Sequence, residues 1–242
     1  NSIEGIDTVE PAYGLPARWI EPKLRDEVLR QGGSVAEPAA VLTAHLAETL
    51  KTRLHELLGY QDVLHLINDL KADYGEAIAD LIPNQVSVSI LQRILLSLLE
   101  ERVSIRNLMI IIESVAYHLR QTSDHAQLLQ HVRTDIGPDI CTPLLGDHAQ
   151  LHVIKLDETI EQTIHQLFVA RENLTQHQIL LALAKSVSLA PHNTAILVHR
   201  AELRRSIFEA HSRQGQYVIV LAEIEVPCDI RLAHVEASIT SP

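Results

Sequence analysis

Fourteen histidines are the first residues to test for chemistry in this chain of 242. Imidazoles hold zinc when they converge with each other and with carboxylates or thiolates, as in HExxH, where i,i+4 spacing puts both on one helical face. The closest pair is His148 and His152, at that spacing but at a junction of loop and strand. There the spacing does not bring two side chains to one face, and neither an HExxH motif nor a cysteine pair supports them. We expect no native metal site, with the histidines in solvated or capping roles. Cys141 and Cys228 stand far apart and form no CxxC, which points to a reducing compartment without a disulfide framework.

Other routes to chemistry fare no better. The chain has no GxSxG elbow, no GxxxxGK[ST] loop and no GxGxxG after a strand. Gly32-Gly33 is an isolated pair, read as a helix C-cap. Glu100 and Glu101 point in different directions on a helix and make no acid/base pair. With Arg102 they read as a solvated helix end. We expect no catalysis and no cofactor. Net charge is −11, from 31 acidic and 20 basic residues, and aromatic residues are 3% of the chain. With no basic run to displace counterions and few rings to stack bases, nucleic acid is excluded as a partner.

These residues must be positioned by elements that periodicity reveals. Residues 1–37 are rich in Pro and Gly, with a short strand around Ala17–Ile20 and a helix from about Pro22 to Arg30. Trp19, the only tryptophan, reads as core packing of the first subdomain. From Val41 the pattern is helical. Leu42, Leu46, Leu50, Leu54 and Leu57 form one stripe, and Val63, Leu66, Ile67 and Leu70 mark a second helix after Gly59. Ser89 and Gln92 read as a capping box, Ser104 as the cap of the next helix, and Asp124 as the cap of another. The apolar run Ile90–Ile112 is broken by five charged residues, so it belongs in a helical core and does not span a bilayer.

After Gly137-Pro138 the texture changes. Leu151–Lys155 reads as a strand, and Asp157 opens a helix. Thr175–Gln178 is a second capping box, opening another. Ala195–His199, Tyr217–Ala222 and Ile230–Ile239 are further strands, with a helix over Leu203, Ile207 and Phe208. The predicted class is α+β with several subdomains: an N-terminal α/β remnant, a central helical subdomain and a C-terminal α/β sandwich.

Three segments are more specific than this. They are Val9–Ile20 (VEPAYGLPARWI), Val35–Leu46 (VAEPAAVLTAHL), and the stretch from Leu81-Ile82-Pro83-Asn84 through Leu91–Leu95 to Glu101–Leu108. In this order and spacing they resemble the FlhA family, the export-gate proteins of flagellar and virulence type III secretion. Val220–Glu225 is similar to that family's last strand and turn. The resemblance implies a cytoplasmic region of four subdomains. Residues 1–37 would end the inserted second, 38–57 would be the returning helix of the first, 58–137 the helical third and 138–242 the α/β fourth.

It also implies a nonameric ring on the cytoplasmic side of the bacterial inner membrane, serving as a docking platform. Its partners would be export chaperone–cargo complexes and other export-apparatus subunits, including the associated ATPase complex. Cargo would dock on Glu10, Pro11, Tyr13, Thr43 and Ala44. Tyr13 stands where many members have Phe, Ala44 where some have Thr, Pro138 at a usually helical position and Ala222 at a common Ser. The flagellar branch fits the Ile3–Ile6 lead-in better than the injectisome branch, which stays the alternative. A helical adaptor and a hydrolase with an unrecognised site are rivals from other classes. The chain opens on Asn1 without an initiator Met, so we expect a piece of a longer protein whose membrane-spanning half lies elsewhere. Alone, it is expected to be monomeric or weakly associated.

Overall fold

In a computed structural model, residues 3–12, 14–170, 181, 183, 185–187, 190–191, 193–213 and 217–235 are described. The chain divides into two compact units, Asn1–Leu58 and Gly59–Pro242.

In the first unit, β1 (Ile6–Val9) and β2 (Pro16–Trp19) pair antiparallel, with Ile6 opposite Trp19 and Val9 opposite Pro16. A 3-10 turn at Pro22–Leu24 leads into α1 (Arg25–Arg30), with Pro22 in the first turn, where its missing N–H costs nothing. The amides of Gly32 and Gly33 bond back to the carbonyls of Leu29 and Val28, at 3.1 and 3.0 Å. Gly32 has φ +81, a left-handed value that favours glycine, so the pair is the expected helix C-cap. Next comes α2 (Pro38–Leu57), again with proline in its first turn.

The leucine stripe of α2 is helical as read, yet it is open to solvent. Leu42 is 69% exposed, Leu46 58% and Leu57 59%. Trp19 departs from its expected core role: it is 46% exposed, because a two-stranded ribbon of four-residue strands offers no layer to bury it.

The second unit begins with helices. Gly59 precedes α3 (Tyr60–Leu81), and the Asp62 carboxylate accepts from its amide at 2.8 Å. This helix bends at Gly75. It packs with α4 (Val88–Glu100) and α5 (Leu108–His118), and α6 (His125–Asp135) packs on both α4 and α5. The interior is aliphatic: Ile67, Leu91, Ile94, Leu98, Ile112 and Leu128 are at most 2% exposed. Two expected caps move. Ser87, not Ser89, caps α4, accepting from Ile90 N at 3.3 Å; Ser89 lies inside the helix. Ser104 accepts from Arg106 N at 3.4 Å, and α5 starts after Asn107. In both cases two serines, or a serine and an asparagine, offered equal cap chemistry, and packing chose between them. Asp124 caps α6 as expected, accepting from Gln127 N at 2.9 Å.

A short α7 (Gly137–Cys141) takes Pro138 into its first turn. Four parallel strands follow: β3 (Gln150–Lys155), β4 (Ala195–Val198), β5 (Ile219–Ala222) and β6 (Arg231–His234), in the spatial order β5-β4-β3-β6. Asp157 accepts from Ile160 N at 2.9 Å and opens α8 (Glu158–Ala170). Between β4 and β5 runs α9 (Ala201–Ser212). Leu156, Ile164, Ile196, Leu203, Ile207 and Val220 belong to one buried cluster on this side of the molecule. The Thr175–Gln178 capping box lies outside the described residues.

Candidate functional site

Glu10 closes the turn that joins β1 to β2. Its amide donates to Leu15 O at 2.8 Å, its carbonyl accepts from Gly14 N at 2.9 Å, and its Oε1 accepts from Ala12 N at 2.9 Å. Gly14 completes the turn at φ +70, where a Cβ would be strained. The turn is therefore held by its own backbone, with Pro11 exposed and Glu10 half-buried. Tyr13 lies outside the described residues. On α2, Thr43 is exposed and its hydroxyl donates to Ala39 O at 2.8 Å, while Ala44 is half-buried. Arg25 Nη1 meets Glu37 Oε1 at 3.2 Å, tying α1 to the residue that precedes α2.

His148 and His152 fall on two different elements. His148 sits in a short 3-10 turn at φ +61, and His152 is on β3. Among the described residues, no group of three or more His, Cys, Asp or Glu converges to hold an ion. Several histidines are more enclosed than a solvated reading allows. His211 is fully buried against the Ile207 carbonyl at 2.9 Å. His125 meets Ser97 Oγ at 3.0 Å, and burial, reinforced by Arg93 and Arg205, pushes its pKa down. His118 shares the Asp135 carboxylate with Ser114 and stacks on His131 with centroids 4.4 Å apart.

At the carboxyl ends of β3, β4 and β5, Lys155, His199 and Glu223 come together. Glu223 accepts from Lys155 Nζ at 2.7 Å and meets His199 Nδ1 at 2.8 Å. The bond to Glu223 raises the His199 pKa, and the same bond, with that from Lys155, lowers that of Glu223. Beneath them the buried Glu161 accepts from the amides of His199 and Arg200, at 2.5 and 3.1 Å. Its carboxylate fills the amino end of α9, where the helix dipole favours negative charge.

The largest surprise is a buried quartet of charges. Arg133 on α6 donates to Glu225, Nε to Oε1 at 2.9 Å and Nη2 to Oε2 at 2.8 Å. Its Nη1 lies 2.9 Å from Glu101 Oε2, off the hydrogen-bonding direction. Arg204 on α9 donates from Nη1 to Glu101, and its Nε lies 3.2 Å from Glu225 Oε1. Each guanidinium thus faces both carboxylates, and all four residues are at most 8% exposed. Glu101 corrects the reading of Glu100-Glu101-Arg102 as a solvated helix end. Burial would raise the Glu225 pKa, but Arg133 and Arg204 outweigh it and hold the carboxyl below 4.5.

Sequence reasoning missed this quartet, although a signal existed. Arg133 falls four residues after Leu129 on the buried stripe of α6, and Arg204 four before Phe208 on that of α9. A charge inside an apolar stripe requires a partner.

The profile of the FHIPEP family matches residues 1–231. The flagellar biosynthesis protein FlhA of Bacillus subtilis is 31% identical over 240 residues, covering 95% of this chain and 36% of that protein. FlhA of Caulobacter vibrioides is 40% identical over 167 residues, covering 69% of this chain and 24% of its own. The chain thus spans about a third or less of these relatives. Among solved structures, the Chlamydia pneumoniae CdsV protein has a TM-score of 0.77 at 21% identity, covering 91% of this chain and 66% of that one. In the CdsV and CdsO protein complex the values are 0.79 and 21%, covering 94% and 69%. Nonameric EPEC SctV-C has a TM-score of 0.74 at 22% identity, covering 97% and 73%. At such identities, the likeness to solved structures shows the fold.

Proposed function

The chain belongs to the FHIPEP family, and from that premise we propose that it is part of the cytoplasmic docking platform of a type III export gate, which binds chaperone–cargo complexes and catalyses nothing. The platform would stand on the cytoplasmic side of the inner membrane; among the described residues no helix is long and apolar enough to cross it. The flagellar relatives at 31–40% identity favour the flagellar branch over the injectisome one. The nonameric neighbour and the complex of CdsV with CdsO support a ring of copies with export-apparatus partners.

The observation that carries the docking reading is the self-closed turn at Glu10–Gly14. It presents Pro11 to solvent and owes its shape to its own backbone, so a partner meets a preorganised surface with little ordering cost. In this reading Tyr13 supplies the aromatic anchor, Glu10 the rim charge, and Thr43 and Ala44 the small residues of the facing helix. The exposed leucine stripe of α2 fits a returning helix whose own subdomain is completed by sequence beyond this chain.

Pull-down of chaperone–cargo complexes by the intact cytoplasmic region tests this. Tyr13→Ala is expected to abolish capture with an unchanged melting temperature, since truncated aromatic anchors cost on the order of 2 kcal/mol or more. Glu10→Lys is expected to weaken capture in a salt-dependent way. Capture that persists in a folded Tyr13→Ala protein would end the docking assignment.

A further inference from the structure

The apolar residues of this chain are nearly all aliphatic, with one Met and five Tyr in 242 residues. Met109, the single methionine, and Tyr117 line the same groove of about 310 Å³ between α3 and α5. Ala77 and Leu81 belong to its α3 wall. On α5, Met109, Glu113 and Ala116 recur at helical spacing, so one face of that helix makes the other wall. Tyr117 is 60% exposed, and Tyr74, three residues before Ala77, is 48% exposed. The core takes other residues of α5, with Ile111, Ile112 and Val115 at 0%. Tyr and Met are enriched in protein interfaces, and Tyr often carries much of the binding energy there.

The rim of the groove is acidic. Asp80 and Glu113 are exposed carboxylates, set against one cation, Arg120. That cation is engaged: its Nη2 donates to Gln85 Oε1 at 2.9 Å, and Gln85 Nε2 donates in turn to Asp80 at 3.0 Å. Glu113 meets no hydrogen-bond partner and no cation among the described residues. It stands four residues before Tyr117, on the same side of α5. One Lys or Arg from outside can therefore pair with its carboxylate and lie over the tyrosine ring.

Two features say what fills such a groove. Both walls are helices whose backbones are bonded internally, so an extended segment finds none of the unpaired groups that a sheet edge offers; a helix needs none. The wall from Met109 to Tyr117 is about 12 Å long at 1.5 Å per residue, a little over two helical turns. A second copy of this chain suits the rim poorly, because it carries a net charge of −11 and no basic run. The geometry points to a docking site for an amphipathic helix of a partner protein, apolar on one side and flanked by Lys or Arg. This site lies on the second unit and does not depend on the docking reading at Glu10–Gly14.

Peptides of about fifteen residues, long enough to form helices, are suitable probes. A labelled Leu/Lys helix and a Leu/Glu helix with the same apolar stripe are titrated with the chain and read by fluorescence anisotropy. The Leu/Lys helix is expected to bind saturably and the Leu/Glu helix not to bind. Tyr117→Ala keeps every charge, so general attraction to an acidic protein survives it; the expected loss of affinity is at least about tenfold. Glu113→Lys, at a second exposed position, is expected to weaken binding and to flatten its salt dependence. Unchanged Leu/Lys affinity in either variant would overturn the inference, as would equal binding of the Leu/Glu helix. Sedimentation that showed the chain associating with itself, and losing that association in Tyr117→Ala, would give the groove to a second copy and overturn it too.

Discussion

Arg133 and Glu225 stand 92 residues apart in sequence and meet fork to fork at 2.9 and 2.8 Å, both within 2% of full burial. Such a pair is worth little net and a great deal differentially. Removing one member leaves the other desolvated without compensation, at about 3–5 kcal/mol. Glu225→Ala is therefore expected to lower the unfolding free energy by that amount in urea titration. The double substitution Arg133→Met with Glu225→Met leaves Glu101 and Arg204 as a balanced pair and should recover most of the loss. A double variant as unstable as the single one would contradict this account.

The same pair fixes the behaviour in acid. Glu225 has a folded pKa below its ordinary 4.5 because Arg133 and Arg204 outweigh its burial. A depressed carboxyl contributes stability that is complete above the unfolded pKa and lost as pH falls through the folded one. Stability should thus be flat above about pH 5 as far as this group is concerned, and fall below pH 4.5. In Arg133→Met/Glu225→Met the acid-side loss should be shallower, as measured by urea midpoints from pH 6 to pH 3.

His199 gives the opposite sign. Its pKa is raised from 6.5, first by its bond to Glu223 and then by the charge of that carboxylate. Any contribution of the pair is present below pH 6.5 and fades as pH rises through the higher folded value. A proton NMR titration should place the His199 midpoint above 6.5, and Glu223→Gln should bring it back down. An unchanged midpoint in that variant would show that Glu223 is not the cause.

The leucine stripe of α2 predicts a dependence on context. Leu46 is 58% exposed, and substitutions at exposed sites typically stay within about 0.5 kcal/mol. Leu46→Gln should leave the melting of this chain nearly unchanged. In the intact cytoplasmic region, where we propose that further sequence covers the stripe, it should destabilise by at least about 1 kcal/mol. Equal indifference in both settings would argue that nothing packs there.

Much of the architecture was legible because local signals were strong. Asp124 and Asp157 each stood before an apolar stripe and each caps its helix. The strands at Ala195–Val198 and Ile219–Ala222 were visible as short apolar runs, which parallel strands buried on both faces produce. Ser89 and Ser104 misled because a neighbouring polar residue could do the same work, and the choice fell to tertiary packing. Trp19 misled because burial depends on what lies opposite, which a single strand cannot show. The turn at Glu10 and Pro11 was legible through its proline and glycine. The quartet was not, since its members lie on α6, on α9, at the end of α4 and after β5, and only the fold gathers them.

One consequence of the buried quartet concerns how the chain is made. Synthesis runs from the amino end, and domains tend to fold as they emerge. The helical half, with Arg133 in place, is complete before Arg204 has been translated, and Glu225 comes later still. Through that interval the nascent bundle carries the Arg133 guanidinium and the Glu101 carboxylate without their later partners, and water solvates both until those partners arrive. The 92 residues between Arg133 and Glu225 thus set an order of assembly, in which the carboxylate that completes the quartet is the last of the four groups to be made.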